Sequence, residues 1–255
     1  MKTGILYICT GNYVIFWDDF YLSCEKNFFP EDERDYFVFT DGNINTYDNP
    51  KVKVIYQKKL GWPFDTLKRF EMFLSVEDDL KKMDYLFFFN ANIIVNKRVD
   101  GEILPEAGQE LTVALHPDHY MSESVDKYPY ERNPESFACI PVGAGKFYVQ
   151  GCFIGGSSEN FLKMCKQLHE NTEKDLKNNI IALWHDESHL NKYVLDKNVK
   201  LLTPNYICPE GRKFPGEIYM YTRKKKKYGG HKKLRGELIK NNSVKSKILK
   251  LFKWI

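Results

Sequence analysis

The densest cluster of chemically competent side chains is "WHDESHLNKY", Trp184–Tyr193. A helix that begins near Asp186 would place His185 and His189 four residues apart on one face, which is the histidine spacing of the zinc motif H-E-x-x-H. The glutamate, Glu187, stands third in this stretch rather than second, and a third ligand cannot be identified. A metal-dependent hydrolase built on the two histidines is therefore an alternative, but a catalytic zinc is not favoured.

The two acids of this cluster, Asp186 and Glu187, would lie in the first turn of the helix, where the helix dipole favours negative charge. The alternative explanation of these acids is helix capping, for which Asp186 alone would be enough. Trp184 beside them could form an apolar wall of the kind on which sugar rings stack, although a core tryptophan fits the pattern as well. The cluster thus combines carboxylates with an aromatic surface.

Two amides, Asn90 and Asn92, end the apolar run "LFFFNANIIV" at Leu86–Val95. In an open parallel sheet, ligands bind beyond the carboxyl ends of the strands, so these amides are candidate ligand contacts. Asparagine also commonly forms turns, and turn formation explains the pair equally well.

Charge is distributed unevenly along the chain. Residues 223–255 contain thirteen Lys or Arg and one acid, a charge of +12; because the whole chain carries +4, the first 222 residues carry −8. Such a basic segment indicates an anionic partner, which could be a phosphorylated ligand, a membrane surface or nucleic acid. Its first part contains a Gly229-Gly230 hinge and could be a lid over a diphosphate, a nucleic-acid arm or a solvated tail.

The last stretch, "SVKSKILKLFKWI", is typical of an interfacial helix on an anionic membrane. Its competing interpretation is a cover for the domain's own surface. One helical face would carry Val244, Ile248, Leu251, Phe252 and Ile255.

Alternating strands and helices predict an α/β fold with a mostly parallel sheet. Predicted strands are Gly4–Cys9, Tyr36–Asp41, Lys51–Tyr56, Tyr85–Phe89, "LTVALHP" and "KFYVQGCFIGG"; predicted helices are a segment from Ile15, Asp65–Leu80, Asn160–His169 and Asp186–Leu195. The stretch between Pro117 and Pro141 is predicted to be a substrate-facing loop. We expect one catalytic domain (1–222), a basic lid (223–235) and a basic amphipathic tail (236–255).

Length and composition are typical of a globular protein without disulfides or membrane-spanning segments. With 255 residues, 43% of them hydrophobic, the chain is long enough for a sizeable core. The six cysteines include no C-x-x-C pair, which favours free thiols. There is neither a signal peptide nor an apolar stretch of roughly 20 residues. We therefore expect a cytoplasmic location.

Seven stretches, in this order, resemble the family 6 glycosyltransferases, which include the ABO blood-group transferases and α1,3-galactosyltransferases. The stretches are "YICTGNY", "LGWPFDTLKRF", "YLFFFNANIIV", "LHPDHY", "YERNPESFACIP", "FYVQGCFIGGS" and "WHDESHLNKYVL", which cover most of residues 4–204. The resemblance implies a GT-A fold. It also implies transfer of galactose or N-acetylgalactosamine from a UDP-sugar to a galactoside with retained anomeric configuration.

The resemblance also implies that the enzyme needs no metal ion. In the animal members the stretch corresponding to Asn90-Ala91-Asn92 reads Asp-x-Asp and binds manganese; this sequence looks like the bacterial branch, which has Asn-Ala-Asn and needs no metal. Neutral amides cannot offset the desolvation of a hard divalent cation. Cations of the protein must then neutralise the diphosphate, and the expected ones are Lys225, Lys226 or Lys227, with Arg235 and Arg69.

The remaining site residues follow from the same resemblance. Glu187 matches the family's catalytic glutamate, which acts as a nucleophile or as an electrostatic stabiliser in a front-face mechanism. Asp186 would bind hydroxyls of the donor sugar, and the sugar selector is "QGC", where Cys152 favours galactose over N-acetylgalactosamine. Further donor contacts would be Cys9, Thr10, Tyr13, Thr66, Arg69, Asn90, Ala91, Asn92, Gln150 and Gly151; acceptor contacts would be His116, Pro129, Trp184 and Glu187.

Expected partners are a UDP-sugar and a glycan acceptor, with a fucosylated galactose as the leading acceptor although Pro129 replaces a threonine common in the family. No metal or other cofactor and no nucleic acid is expected. The basic tail suggests peripheral attachment at the inner face of a membrane, where the enzyme would build a lipid-linked glycan.

Overall fold

The computed structural model describes residues 1–122 and 124–237, which form a three-layer α/β structure. Its centre is a seven-stranded sheet with the order β3-β2-β1-β4-β7-β6-β8, and a three-stranded sheet has the order β5-β10-β9. The strands are β1 Lys2–Ile8, β2 Glu33–Thr40, β3 Val52–Tyr56, β4 Tyr85–Asn90, β5 Ile93–Val95, β6 Leu111–Leu115, β7 Val149–Ser157, β8 Val199–Leu202, β9 Cys208–Pro209 and β10 Met220–Thr222.

The sheet is parallel except for one strand. Strands β3, β2, β1 and β4 pair in parallel, as do β6 and β8, whereas β7 runs antiparallel to both of its neighbours, β4 and β6. The predicted α/β class with a mostly parallel sheet is confirmed. Reversal of β7 brings its first residues to the edge of the sheet where β1 and β4 end.

Helices cover both faces of the sheet because the strands are apolar on both sides. In β4, Phe87 and Phe89 pack into the core on one face, while Leu86 and Phe88 pack into the core on the other face. The helices are α1 Trp17–Asn27, α2 Phe64–Leu67, α3 Arg69–Leu74, α4 Glu77–Leu80, α5 Ser158–Lys177, α6 Asp186–Val194 and α7 Gly230–Leu234; 3₁₀ turns are Gly11–Phe16, Gly101–Ile103, Val125–Lys127 and Lys225–Tyr228.

Three predicted helices differ in extent. The single helix predicted from Asp65 to Leu80 is divided into α2, α3 and α4, because the backbone leaves helical geometry at Lys68 (ψ 10°) and Val76 (φ −124°, ψ 26°). The helix predicted from Ile15 begins only at Trp17, after a 3₁₀ turn. Helix α5 extends beyond both ends of the predicted helix, and at its start the hydroxyl of Ser157 accepts a hydrogen bond from the Asn160 N–H.

The basic segment 223–235 folds back onto the body of the protein. Its first residue, Arg223, exchanges two hydrogen bonds with Asn92, one through backbone atoms at 2.7 Å and one from the Asn92 amide to the Arg223 carbonyl at 2.8 Å. Farther along, Asn12 and Lys59 donate to the carbonyls of Lys233 and Arg235. These contacts hold the segment above the ends of β1 and β4.

The predicted amphipathic tail lies almost wholly outside the described residues, which end at 237. Within the described part, helices long and apolar enough to cross a membrane do not occur. All six cysteines carry free thiols, as predicted.

Candidate active site

A cavity of about 370 Å³ opens at the carboxyl ends of β1 and β4, under the basic segment. It is the place where a sheet of this kind binds ligands. The structure brings most of the predicted site residues together in its lining: Thr10, Tyr13, Thr66, Arg69, Asn90, Ala91, Asn92, His116, Gln150, Gly151, Cys152, Trp184, Asp186, Glu187, Lys225 and Arg235.

Four predicted site residues lie outside this lining. Cys9 is fully buried below the cavity, and its carbonyl accepts a hydrogen bond from the Thr40 hydroxyl. Lys226 and Lys227 are exposed, and the ammonium group of Lys227 pairs with Glu210 at 2.5 Å. Pro129 lies in the loop between β6 and β7.

Glu187 is positioned by two hydrogen bonds from one strand segment. Its Oε1 accepts from the Tyr148 hydroxyl at 2.8 Å, and its Oε2 accepts from the Gly151 N–H at 2.7 Å. Burial raises the pKa of this carboxyl to about 7, although both hydrogen bonds act in the opposite direction. The geometry thus presents one carboxylate with a defined orientation at the cavity wall.

Asp186 forms a buried ion pair with Arg69 across the cavity floor. The carboxylate Oδ2 lies 3.1 Å from the guanidinium, and less than a tenth of either side chain is exposed. Burial raises the pKa of Asp186 to about 6, while the positive charge of Arg69 lowers it. Arg69 also donates to the Gly151 carbonyl and lies over the ring of Phe88. One arginine therefore connects α3, α6 and β7.

Glycine at position 151 allows this close approach of β7 and α6. A Cβ atom there would lie 3.1 Å from the Asp186 carboxylate and 3.2 Å from the Glu187 Cβ. Its N–H binds Glu187 and its carbonyl binds Arg69, so the peptide is fixed on both sides.

Helix α6 is attached to β7 by the Asn191 side chain, which hydrogen-bonds to the strand backbone as a neighbouring strand would. Asn191 accepts from the Val149 N–H and donates to the Val149 carbonyl, both at 2.9 Å. At the start of the helix, the Ser188 hydroxyl accepts from the Trp184 N–H. These bonds fix the first turn, which carries Asp186 and Glu187.

The amides of the Asn90-Ala91-Asn92 turn are partly committed to the protein. Asn92 holds Arg223, and the Ala91 carbonyl accepts from the buried Tyr7 hydroxyl at 2.7 Å. Neutral amide oxygens lack the negative charge that Mn²⁺ or Mg²⁺ requires of its protein ligands. The two asparagine side chains of this turn therefore do not fit a hard divalent cation. Asn92 instead anchors the basic segment beside the cavity.

A group of three potential metal ligands does occur elsewhere in the described residues. Glu71, His169 and Glu173 lie together on α3 and α5, outside the cavity lining. The ammonium group of Lys68 already bonds to both glutamates, so an internal cation neutralises this cluster.

Four cationic side chains line the cavity: Lys59, Arg69, Lys225 and Arg235. Lys225 is partly buried with its ammonium nitrogen 5.5 Å from the centre of the Tyr13 ring, and Arg235 lies over the Trp62 ring at 3.7 Å. Burial, with the charges of Arg235 and Arg69, lowers the pKa of Lys225. Because these cations repel one another, an anion bound between them would be favoured.

The two histidines of the zinc-like spacing do not share a site. His185 lines the cavity with its ring edge against Trp62, 4.6 Å between ring centres, and its backbone has φ 55°, so it precedes the helix. His189, within α6, is buried on the side of the helix that faces α5, with its Nε2 3.5 Å from Asp175. The expectation that both rings lie on one face is wrong, and the geometry does not support the hydrolase alternative.

Trp184 and His116 contribute an aromatic surface to the cavity. Trp184 is about half exposed, at 49%. The His116 ring lies 5.7 Å from that of Tyr148, and its Nδ1 accepts a hydrogen bond from the Asp118 N–H at 3.2 Å. Burial lowers the pKa of His116 to about 4, which keeps this ring neutral at physiological pH.

Several lining residues were not anticipated from the sequence, among them Lys59, Trp62, Asp65, Thr222 and His231. Trp62 belongs to the quoted stretch "LGWPFDTLKRF", so an aromatic beside the predicted contacts was available as a signal. Lys59 and His231 belong to segments that meet only because the basic segment folds back.

Comparison with known proteins decides the family. A family model described as "Glycosyltransferase family 6" matches residues 1–235. The chain belongs to glycosyltransferase family 6. The predicted resemblance is thereby confirmed, and the sheet described above is that of a GT-A-like fold.

Relatives from bacteria and animals are similar over most of the chain. The "O-antigen biosynthesis glycosyltransferase WbnI" of Escherichia coli is 38% identical over 236 residues, 91% of this chain and 99% of that protein. The "Histo-blood group ABO system transferase 1" of Rattus norvegicus is 34% identical over 216 residues, 80% of this chain and 60% of that protein. The "Globoside alpha-1,3-N-acetylgalactosaminyltransferase 1" of Gallus gallus is 30% identical over 229 residues, 86% and 65% respectively. The family 6 protein is therefore a glycosyltransferase.

Proposed function

We propose that this family 6 glycosyltransferase is a retaining α-1,3-glycosyltransferase that moves galactose or N-acetylgalactosamine from a UDP-sugar to a galactoside, without a metal ion. The observation that carries the proposal is the carboxylate of Glu187, oriented by two hydrogen bonds in a cavity that is also lined by Arg69, Lys225 and Arg235. A fucosylated galactose is the proposed acceptor. Similarity to the globoside alpha-1,3-N-acetylgalactosaminyltransferase of Gallus gallus supports this reaction class.

Neutralisation of the leaving group is the first part of the mechanism. The bond from the anomeric carbon to the diphosphate oxygen breaks, and its electron pair leaves with UDP. Lys225 and Arg235 would bind the diphosphate, with Arg69 below it. Each charge-assisted hydrogen bond contributes about 1.5–3 kcal/mol, so two or three together would replace one metal ion at this position.

Stabilisation of the developing sugar cation is the second part. As the leaving group departs, positive charge grows on the anomeric carbon and ring oxygen, as in glycoside hydrolysis. The ionised Glu187 would act on this charge as a nucleophile or as an electrostatic stabiliser. In the front-face route the acceptor hydroxyl attacks on the side from which UDP leaves, and a phosphate oxygen takes its proton. In the other route, the Glu187 carboxylate bonds to the anomeric carbon as UDP leaves. The acceptor hydroxyl then displaces Glu187 and gives its proton to a phosphate oxygen of UDP, so that two inversions give the same retained configuration.

The donor preference would be set at the end of the selector triplet. The Cys152 thiol is buried and donates to the side-chain Oε1 of Gln150 at 3.0 Å, while Nε2 of the same side chain donates to the backbone carbonyls of Leu115 and Ile207. This network holds the sulfur in the cavity lining, where an N-acetyl group would need space.

A Cys152→Gly variant tests this selector. Removal of the sulfur should raise kcat/KM for UDP-N-acetylgalactosamine relative to UDP-galactose by roughly tenfold, a size typical of a steric change in a sugar pocket. The control is Cys139→Ala, at a partly exposed thiol outside the cavity, which should leave this ratio unchanged. An unchanged ratio in Cys152→Gly would show that other residues select the sugar.

A UDP-release assay tests the whole function. Purified enzyme is incubated with either UDP-sugar and a fucosylated galactoside, with EDTA or with added Mn²⁺. We expect UDP release that requires acceptor and is equal under both conditions, because the amides do not fit a metal and the cations replace it. Loss of activity in EDTA with recovery in Mn²⁺ would contradict metal independence, and a lack of transfer with every acceptor galactoside would contradict the function.

A further inference from the structure

Tyr148 is a buried tyrosine that contacts the proposed catalytic carboxylate from behind. It immediately precedes β7, is only 2% exposed and is outside the cavity lining. Its hydroxyl donates to Glu187 Oε1 at 2.8 Å. A side chain so placed does not meet a substrate, so any effect on the reaction must pass through Glu187.

The Tyr148 ring is held by an aromatic cluster, which fixes the direction of its hydroxyl. The centres of four rings lie between 5.1 and 6.2 Å from the centre of the Tyr148 ring, those of His116, His119, Tyr128 and Tyr130. A donor that is packed on several sides cannot follow a moving acceptor. The carboxylate must therefore adopt the orientation that the tyrosine allows.

The second donor to Glu187 is the Gly151 N–H, which belongs to the same strand segment. Each carboxylate oxygen thus has one donor, and the two donors are three residues apart in the chain, one immediately before β7 and one within it. Of the two, only the hydroxyl can be removed by substitution without changing the backbone.

We propose that Tyr148 is a positioning residue, which holds Glu187 as an anion in one orientation for glycosyl transfer. The inference rests on the proposed catalytic role of Glu187. In this arrangement the tyrosine opposes the tendency of a buried carboxyl to take up a proton, so that the carboxylate is available when positive charge develops on the sugar.

Charges around Glu187 agree with this role. Burial raises its pKa to about 7, and the hydrogen bonds from Gly151 and Tyr148 lower it; Asp186 raises it and Arg69 lowers it. Of the other groups on surrounding elements, burial raises the pKa of Cys152 to about 12 and lowers those of His116 and His185, so these three stay neutral near pH 7. Lys225 is a further cation in the same cavity. The acid limb of a pH profile should therefore report the Asp186–Glu187 carboxylates.

Tyr148→Phe removes the hydroxyl alone and is the direct test. At neutral pH we expect kcat to fall about tenfold, with KM for the donor within about twofold, because binding groups are untouched. The acid limb of kcat should move up by about one pH unit, since a hydrogen bond to the charged form of Glu187 is lost. The matched control is Tyr130→Phe, which removes an equally buried hydroxyl of the same cluster that donates to the Phe147 carbonyl instead; its pH profile should stay wild-type.

A second measurement separates this inference from the proposed function. The pKa of Glu187 is measured by ¹³C NMR of labelled glutamate carboxyls, with Glu187→Gln used for assignment, in the wild type and in Tyr148→Phe. A raised pKa without any change in kcat or its pH profile would show that Tyr148 acts on Glu187 but that Glu187 is not catalytic. An unchanged pKa together with an unchanged profile would overturn the positioning role.

Fluorotyrosine at position 148 keeps the test decisive should Tyr148→Phe fail to fold. Fluorine lowers the pKa of the phenol and makes it a stronger donor while the ring stays in place. The acid limb should then move to lower pH, opposite to the effect of phenylalanine. A shift in the same direction as that of phenylalanine, or no shift, would contradict the inference.

Discussion

Glu187→Gln is expected to lower kcat by roughly a hundredfold or more, the size typical of lost transition-state electrostatics. The substitution removes the negative charge that would face the developing sugar cation, while the side chain keeps its length. It also places an amide N–H against one of the two donors, Tyr148 or Gly151, which disturbs the orientation. The measurement is kcat in the UDP-release assay, with UDP affinity determined separately by calorimetry.

Glu110→Gln is the control for this variant. Glu110 is also partly buried and bonded, in its case to Lys163 and Lys197, but it lies outside the cavity lining. Its kcat should stay close to that of the wild type. Near-normal turnover in Glu187→Gln with intact UDP binding would remove Glu187 from the mechanism and would leave Asp186 as the remaining carboxylate.

The double variant Lys225→Ala/Arg235→Ala is expected to weaken UDP binding by about 100-fold or more in EDTA. Each lost charge-assisted hydrogen bond is worth about 1.5–3 kcal/mol, and each 1.4 kcal/mol is tenfold in affinity. Both side chains line the cavity, and burial of Lys225 makes its charge especially effective once an anion is bound. Calorimetric titration with UDP measures the effect directly.

The chain offers a matched control for charge. Lys226→Ala/Lys227→Ala also removes two positive charges from this segment, but both lysines are exposed and Lys227 is paired with Glu210. We expect a change in UDP affinity within about twofold, because exposed charges are screened by solvent and salt. Equal losses in the two double variants would show that the overall field of the segment matters rather than these two contacts.

Much of the fold was predictable from local pattern. The strands β1, β2, β3 and β4 are short apolar runs bounded by polar turns, and their alternation with helices determines a mostly parallel sheet. The divided helix α2–α4 was not predictable, because Lys68 and Val76 carry no local signal such as Pro or Gly for a helix break.

The site residues were predictable where a motif carries them in one stretch. Trp184, Asp186 and Glu187 are adjacent in the sequence, and all three line the cavity. For the basic segment, composition alone indicates an anionic partner but cannot choose between neighbouring lysines. Lys225 points into the cavity while Lys226 and Lys227 face solvent, since this part is a 3₁₀ turn rather than an extended arm.

The sequence by itself determined the family, the sheet-forming segments, the neutral amides at the end of β4 and the positive charge of the segment from residue 223. These are properties of residue types and short spacings. The tertiary structure alone decided that Asn92 holds Arg223, that Arg235 lies over Trp62, that the two histidines separate and that Tyr148 meets Glu187. The three contacts join residues 39 to 173 positions apart, and the two histidines are separated although they are only four positions apart. Side-chain direction at such places is decided by packing between elements, which local sequence does not encode.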